Sequence, residues 1–281
     1  MKTRIIASVI LLPVFLAVLL IFPPYILTFV ISVLCAIAAY ELTRAMGSEK
    51  SKASLVFTII AAALMPVAVH MYAHYPAYYQ FSGSLGAQIL AALIFMLIIE
   101  AMLMRKKDKL VILRLIIAVL GGGVLIPQML SGLISLRAMP AGHLLVLLPV
   151  VSAFLTDTGA YFTGKAIGKR QAFPGISPNK TVEGCIGGLI TGTAGMLIYG
   201  VILASTTQLN VKFLLLIVYG VAGSVITELG DLAFSLIKRK RGIKDYGKLI
   251  PGHGGVLDRF DSMAFCAPAM YLLMIFLPAI S

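Results

Sequence analysis

The chain has 281 residues, of which 60% are hydrophobic and only 12% charged; its mean hydropathy is +1.00 and its formal net charge is +12 at pH 7. A soluble core of this size cannot hide so much apolar surface, whereas a bilayer accepts it. The cations lie in short loops between apolar runs and not on one soluble face, so the basic balance does not point to nucleic acid.

The apolar runs are about 20 residues long and lack the alternation of a β-barrel, so the expected fold is an all-α polytopic integral membrane protein with about nine transmembrane helices. The start, with Lys2 and Arg4 ahead of an apolar run, resembles a signal peptide. The run is too long for that and no A-x-A site follows, so it is read as a retained first helix. The second span follows Pro23-Pro24, from about Tyr25 to Tyr40. The third runs from about Leu55 to Tyr72 and the fourth from about Leu85 to Met104. The fifth, about Leu110 to Ile134, carries Gly121-Gly122-Gly123, which marks close packing or a bend. The sixth to ninth spans run from about Leu144 to Ile167, Gly184 to Ala204, Phe213 to Ile237 and Met263 to Ile280.

With the amino terminus cytoplasmic and the carboxyl terminus outside, only Arg137 and Lys212 among the cations lie outside, as the positive-inside rule asks. No repeat and no inverted-half symmetry is visible. Polar intramembrane groups concentrate in the later spans. Residues 1–135 are therefore read as a transmembrane scaffold of about five helices. Residues 136–281 are read as a catalytic region of about four, with cytoplasmic loops at 168–183 and 238–260. Cys35, Cys185 and Cys266 each fall in an apolar run without a CxxC or His partner, which suits reduced packing residues.

Four clusters carry chemistry. The densest runs from Ser235 to Asp261, SLIKRKRGIKDYGKLIPGHGGVLDRFD. Its cations suit phosphate, its glycines at 252, 254 and 255 admit backbone amides to an anion, and carboxylates hold a hard divalent cation through oxygen. Asp258 and Asp261 share a face if a helix begins near Leu257. Topology alone accounts for Lys238-Arg239-Lys240-Arg241 but asks for no His-Gly-Gly turn and no Asp-Arg-Phe-Asp. Asp157, deep in the sixth span, needs a polar cavity and a partner. In Ser177-Pro178-Asn179-Lys180-Thr181-Val182-Glu183-Gly184, a Ser or Thr with a nearby Glu suits helix capping, while Lys180 beside two hydroxyls suits a triphosphate. Glu228 and Asp231, at i and i+3 in the eighth span, share a face that cannot look at lipid. His70 and His74, at i and i+4, have a metal-binding spacing but fall at the outer end of the third span; they and His143 are read as interfacial.

Ser235, Lys238-Arg239, Lys244-Asp245, Gly247, Pro251, His253-Gly254-Gly255, Asp258-Arg259 and Asp261 resemble the signature of the phosphatidate cytidylyltransferases, or CDP-diacylglycerol synthases. The Ser177–Gly184 loop resembles the same family's S-P-K-K-T-x-E-G element, with Asn179 where lysine is usual. Gly230-Asp231-Leu232 resembles its Gly-Asp-Leu element. The resemblance implies transfer of the cytidylyl group of CTP to phosphatidic acid, giving CDP-diacylglycerol and pyrophosphate in phospholipid biosynthesis. It further implies a homodimer; the carboxylates suit Mg²⁺ as cofactor, with a second cation left open, and the positive-inside orientation puts the active site at the cytoplasmic face of a cell inner membrane.

On that resemblance Asp231, Lys244, Asp258, Arg259 and Asp261 are the expected catalytic residues, with Asp231, Asp258 and Asp261 as metal ligands. Asp157, Ser177, Lys180, Thr181, Lys238, Arg239, His253, Gly254 and Gly255 are the expected substrate-binding residues. The alternatives are a CTP-dependent polyprenol-type lipid kinase, with the same need for acids and basic loops, and a secondary transporter. The transporter would need polar residues leading to both faces.

Overall fold

A computed structural model describes residues 2–47, 51–75, 77, 79–103, 109–250, 252 and 254–280. The structure is almost wholly helical. Its helices are α1 (Lys2–Leu20), α2 (Pro24–Ala45), α3 (Lys52–His74), α4 (Tyr79–Leu103), α5 (Lys109–Ile116), α6 (Ile126–Leu130), α7 (Gly132–Ala138), α8 (Gly142–Leu145), α9 (Leu147–Ile167), α10 (Val182–Thr206), α11 (Phe213–Lys240) and α12 (Leu257–Phe276). Among the described residues seven helical stretches are long and apolar enough to cross a membrane: Pro24–Ala45, Lys52–His74, Lys109–Ala138, Gly142–Ile167, Val182–Thr206, Phe213–Lys240 and Leu257–Phe276. Leu11–Leu20 and Leu85–Glu100 are shorter apolar helical stretches, at the expected first and fourth spans. The chain is thus an all-α polytopic membrane protein.

The chain packs as two units. The first comprises Met1–His143 with Arg241–Phe260, the second Leu144–Lys240 with Asp261–Ser281. The first unit therefore contains the basic loop that follows α11 in sequence, joined to helices of the amino-terminal half.

In the first unit, α3, α4, α5 and the turn after α5 share an apolar core that includes Met65, Leu93, Leu115 and Val119. Between α5 and α6 the backbone widens to a π-helical stretch, Ile117–Leu125, holding the three glycines. A Cβ on Gly122 would come within 3.3 Å of the Ala39 backbone, and one on Gly123 within 2.9 Å of Leu93. The triplet serves close packing, and the wider turn belongs to the same place in the helix.

In the second unit α10 lies against α9 along its glycine face. A Cβ at Gly184 or Gly188 would come within 3.0 Å of an α9 backbone carbonyl, of Ala160 and Thr156 respectively. This is the close backbone approach expected from four-residue spacing. The Thr156 hydroxyl donates to Ser224 of α11 at 2.9 Å, so a polar link crosses an apolar interface without leaving its groups unpaired. The buried Tyr219 hydroxyl donates to the Leu277 carbonyl at 3.0 Å, tying α11 to the end of the chain.

The loop expected before α10 is a small antiparallel hairpin of β1 (Gln171–Phe173) and β2 (Ser177–Thr181), with Phe173 opposite Ser177 and Gln171 opposite Thr181. The Pro174-Gly175 turn explains it, since those residues suit a reversal while the flanking polar residues form too short a run to register as strands.

Candidate active site

The second unit assembles Asp157, Lys180, Glu228, Asp231, Lys238 and Asp261. Lys180 ends the hairpin, and its Nζ makes an ion pair of 2.8 Å with Asp231 Oδ2. The hairpin is held by its neighbours. Glu183 accepts hydrogen bonds from the backbone N–H groups of Lys169 and Arg170 at 3.0 and 3.2 Å, and Arg239 Nε donates to the Ile176 carbonyl at 3.1 Å. Thr181 is the N-cap of α10, its hydroxyl accepting from the Gly184 N–H at 3.1 Å. Lys180 is thereby fixed at a strand end that runs directly into a helix.

Asp157 stands midway along α9, and Ser262 of α12 donates to its carboxylate. Its side chain is exposed in a helix otherwise apolar enough for a membrane, so that part of α9 must border a polar space. Glu228 receives the Cys185 thiol and lies beside Gly188. Asp261 is buried, its Oδ1 accepting from the Ser262 N–H at 2.9 Å, with the buried Lys238 as its nearest cationic influence. Lys180 feels Asp231, Glu228 and Asp157 together. Burial alone would lower its pKa, but these carboxylates outweigh burial and hold it above the ordinary lysine value. Four carboxylates thus face two lysines, leaving an excess of negative charge in a partly shielded place.

The first unit holds the other part of the expected site. Lys244, Asp245, Lys248 and Arg259 are exposed. Asp258 is buried, and its Oδ2 accepts the N–H groups of Tyr246 at 2.8 Å and Gly255 at 3.0 Å. Gly254 has a φ of +88°, and a Cβ there would meet Asp258 Oδ2 at 2.9 Å. The helix does begin at Leu257, as the Asp258–Asp261 spacing requires. His253 and Pro251 lie outside the described residues, as do Lys50, Arg105, Lys106 and Lys107 among the expected cytoplasmic cations. Ser177 lies in β2, half-buried, and Asn179 is exposed beside Lys180.

Two residues of the constellation are absent from the sequence-based expectations. Ser262 shows no signal beyond its place after Asp261. Glu41 directly follows the second apolar run, where an acid suits the membrane boundary, and it falls in the half read as scaffold. Its buried carboxylate accepts the N–H groups of Val256 at 3.0 Å and Leu257 at 2.8 Å. The expected interfacial histidines pair locally: His70 stacks on His74 and shares a hydrogen bond of 2.8 Å with Thr28. All three cysteines are free.

Among the described residues no three His, Cys, Asp or Glu side chains stand close enough to hold a metal ion as arranged, Asp231 being engaged by Lys180. The donor chemistry nevertheless fits a hard cation, because every acceptor in the second unit's cluster is a carboxylate oxygen and the cluster carries more acids than lysines.

A family model described as "Cytidylyltransferase family" matches residues 2–277. The chain belongs to that family. Its curated relatives include a phosphatidate cytidylyltransferase of Bacillus subtilis, 46% identical over 119 residues, covering 42% of this chain and 43% of the relative. Proteins of the same name from Staphylococcus saprophyticus and Staphylococcus aureus are 44% and 43% identical over 130 residues, covering 46% of this chain and 48% of each relative. The matched region thus spans about half the length of these relatives.

Proposed function

We propose that the chain is a phosphatidate cytidylyltransferase, transferring the cytidylyl group of CTP to phosphatidic acid at the cytoplasmic face of a cell inner membrane. The observation that carries this reading is the family match over nearly the whole chain, together with the Lys180–Asp231 pair set among three further carboxylates. A nucleotide and a lipid phosphate must both be met where membrane and water adjoin, and an exposed acid midway along α9 suits such a boundary.

In the reaction a phosphate oxygen of the lipid bonds to the α-phosphorus of CTP as the bond to the β-phosphate oxygen breaks and pyrophosphate leaves. A phosphomonoester is already largely ionised at pH 7, so no strong base is needed. The work is alignment and charge stabilisation. Lys180 is pre-positioned by the hairpin and held protonated, and with Lys244 and Arg259 it takes up charge on the triphosphate and on the departing pyrophosphate. Ser177, Thr181, His253, Gly254 and Gly255 orient the nucleotide, while Lys238 and Arg239 supply further positive charge. Asp231 and Asp261 would hold Mg²⁺, with Asp258 and Asp157 as further carboxylates of the set. When bound, the ion supplies charge neutralisation between phosphate oxygens. The lipid tails stay in the bilayer, and a homodimer completes the proposed assembly.

The test uses the purified full chain with phosphatidic acid, Mg²⁺ and CTP labelled at either the α- or the γ-phosphate. Lipid that gains the α-label with release of pyrophosphate, and loses it in Asp231→Asn, supports the reading. Lipid labelled only from the γ-position would replace it with a lipid kinase, and no turnover with any acidic lipid would reopen transport.

A further inference from the structure

The amino end of α12 has no side chain of its own at the place where a helix is capped. The helix begins at Leu257 and the Val256 carbonyl accepts its first N–H groups, which puts Val256 at the N-cap, and Asp258 reaches back to the Gly255 N–H just ahead of it. Valine has no side-chain oxygen to offer to these N–H groups, and unpaired amides at a buried helix start are costly. Glu41 fills the role from α2. Its two oxygens separately accept the Val256 and Leu257 N–H groups at 3.0 and 2.8 Å, in a place where the helix dipole also favours an anion. Glu41 as a residue is 3% exposed, so its side chain has little access to water as an alternative partner.

The surrounding chain is shaped to admit it. A Cβ at either Gly247 or Gly255 would come closer than 3.0 Å to the Glu41 carboxylate, nearer than real Cβ atoms approach such groups. Both glycines have room only because they lack a side chain. Neither has a positive φ that would call for glycine on backbone grounds. Asp258 meanwhile clamps Tyr246 and Gly255, and the Ile250 N–H donates to the Gly254 carbonyl at 2.9 Å. Tyr246 and the run from Gly255 to Leu257 are therefore held by two buried carboxylates, one contributed by the half of the chain read from sequence as scaffold.

We propose that Glu41 is a positioning residue of this enzyme. By capping α12 it holds the signature loop and Asp258 in the arrangement used for the reaction, and it is the reason for glycine at 247 and 255. The inference rests on the proposed cytidylyl transfer for its kinetic part only; the clamp is a property of the folded chain.

The experiment compares the full chain with Glu41→Ala, Glu41→Gln, Gly255→Ala and the Glu41→Ala/Gly255→Ala double variant. It measures CDP-diacylglycerol formation, thermal unfolding and amide hydrogen exchange over residues 246–257. Glu41→Ala is expected to lower kcat about 100-fold, the scale of a misplaced catalytic group, while α9–α11 keep their exchange protection. Protection is lost at Val256 and Leu257 specifically. Glu41→Gln, which keeps one acceptor oxygen, recovers part of the rate. Gly255→Ala is expected to lose a comparable rate alone but to add little in the Glu41→Ala background, because the methyl then has space and the clamp is already gone. Wild-type kcat in Glu41→Ala, unchanged exchange at Val256 and Leu257, or fully additive losses in the double variant would each overturn the proposal. If the wild type makes no CDP-lipid at all, the proposed reaction fails. The exchange comparison still decides the clamp.

Discussion

Lys180 and Asp231 are the pair on which the second unit's charge balance turns, and their coupling can be worked out before it is measured. At a charge separation of about 4 Å and an effective dielectric of about 20, attraction is about 4 kcal/mol. Lys180 Nζ is itself buried while the Asp231 side chain is 26% exposed, so desolvation and ordering take back much of that. A net coupling of about 1–2 kcal/mol remains. The assay is a double-mutant cycle with Lys180→Met, Asp231→Asn and both together, read by reversible unfolding in mixed micelles. Lys180→Met should be the more damaging single change, since it leaves Asp157, Glu228 and Asp231 facing one another without the cation that all three influence. Asp231→Asn removes one of those carboxylates and should cost less. A coupling below about 0.3 kcal/mol, the level of independent sites, would refute the reasoning. So would equal costs for the two single variants.

The raised pKa of Lys180 has a definite sign. Its stabilising contribution is complete below the ordinary lysine value and is lost only as pH rises through the higher folded value, so the wild type's advantage over Lys180→Met should be constant from about pH 7 to 9 and shrink above about pH 10.5. Thr181→Val should cost about 1 kcal/mol of unfolding free energy through loss of the α10 cap, and Thr181→Ser should keep it. Gly254→Ala should lower CDP-lipid formation at least about 10-fold, because strain at positive φ costs about 1–2 kcal/mol and the new methyl meets Asp258 at 2.9 Å; wild-type turnover would contradict this. Asp261→Asn should abolish turnover yet leave unfolding unchanged or slightly more stable, since the amide oxygen can still accept from Ser262 while repulsion from Asp231 and Asp157 disappears.

Much of this molecule is legible in its sequence because a bilayer enforces one periodicity over long runs. Ile167 ends α9 and Phe213 begins α11, as their apolar boundaries indicate. The four-residue glycine spacing of α10 likewise states its packing directly. The second unit's acids could be found because a carboxylate in an apolar run is expensive and needs a polar neighbour. What escaped the sequence was the identity of those neighbours. Nothing local links Lys180 to Asp231, since their pairing depends on the hairpin and on α10 returning the chain to α11. Glu41 escaped for a second reason. It satisfies backbone amides, which leave no residue-type signature, and its counterpart in sequence is a pair of glycines that also suit a phosphate loop.

The carboxylates therefore divide by what they oppose. Glu41 and Asp258 accept backbone N–H groups, where a negative charge is met by fixed dipoles and ties down Tyr246, Gly255, Val256 and Leu257. Asp157, Glu228, Asp231 and Asp261 oppose one another with Lys180 and Lys238 as partial compensation. The first arrangement stabilises the fold as it stands. The second has charge to spare in the free chain, which folding alone gives no reason to retain; a ligand rich in positive charge, or a cation carried with the nucleotide, would relieve it. Removing a carboxylate should accordingly weaken the fold more in the first set than in the second.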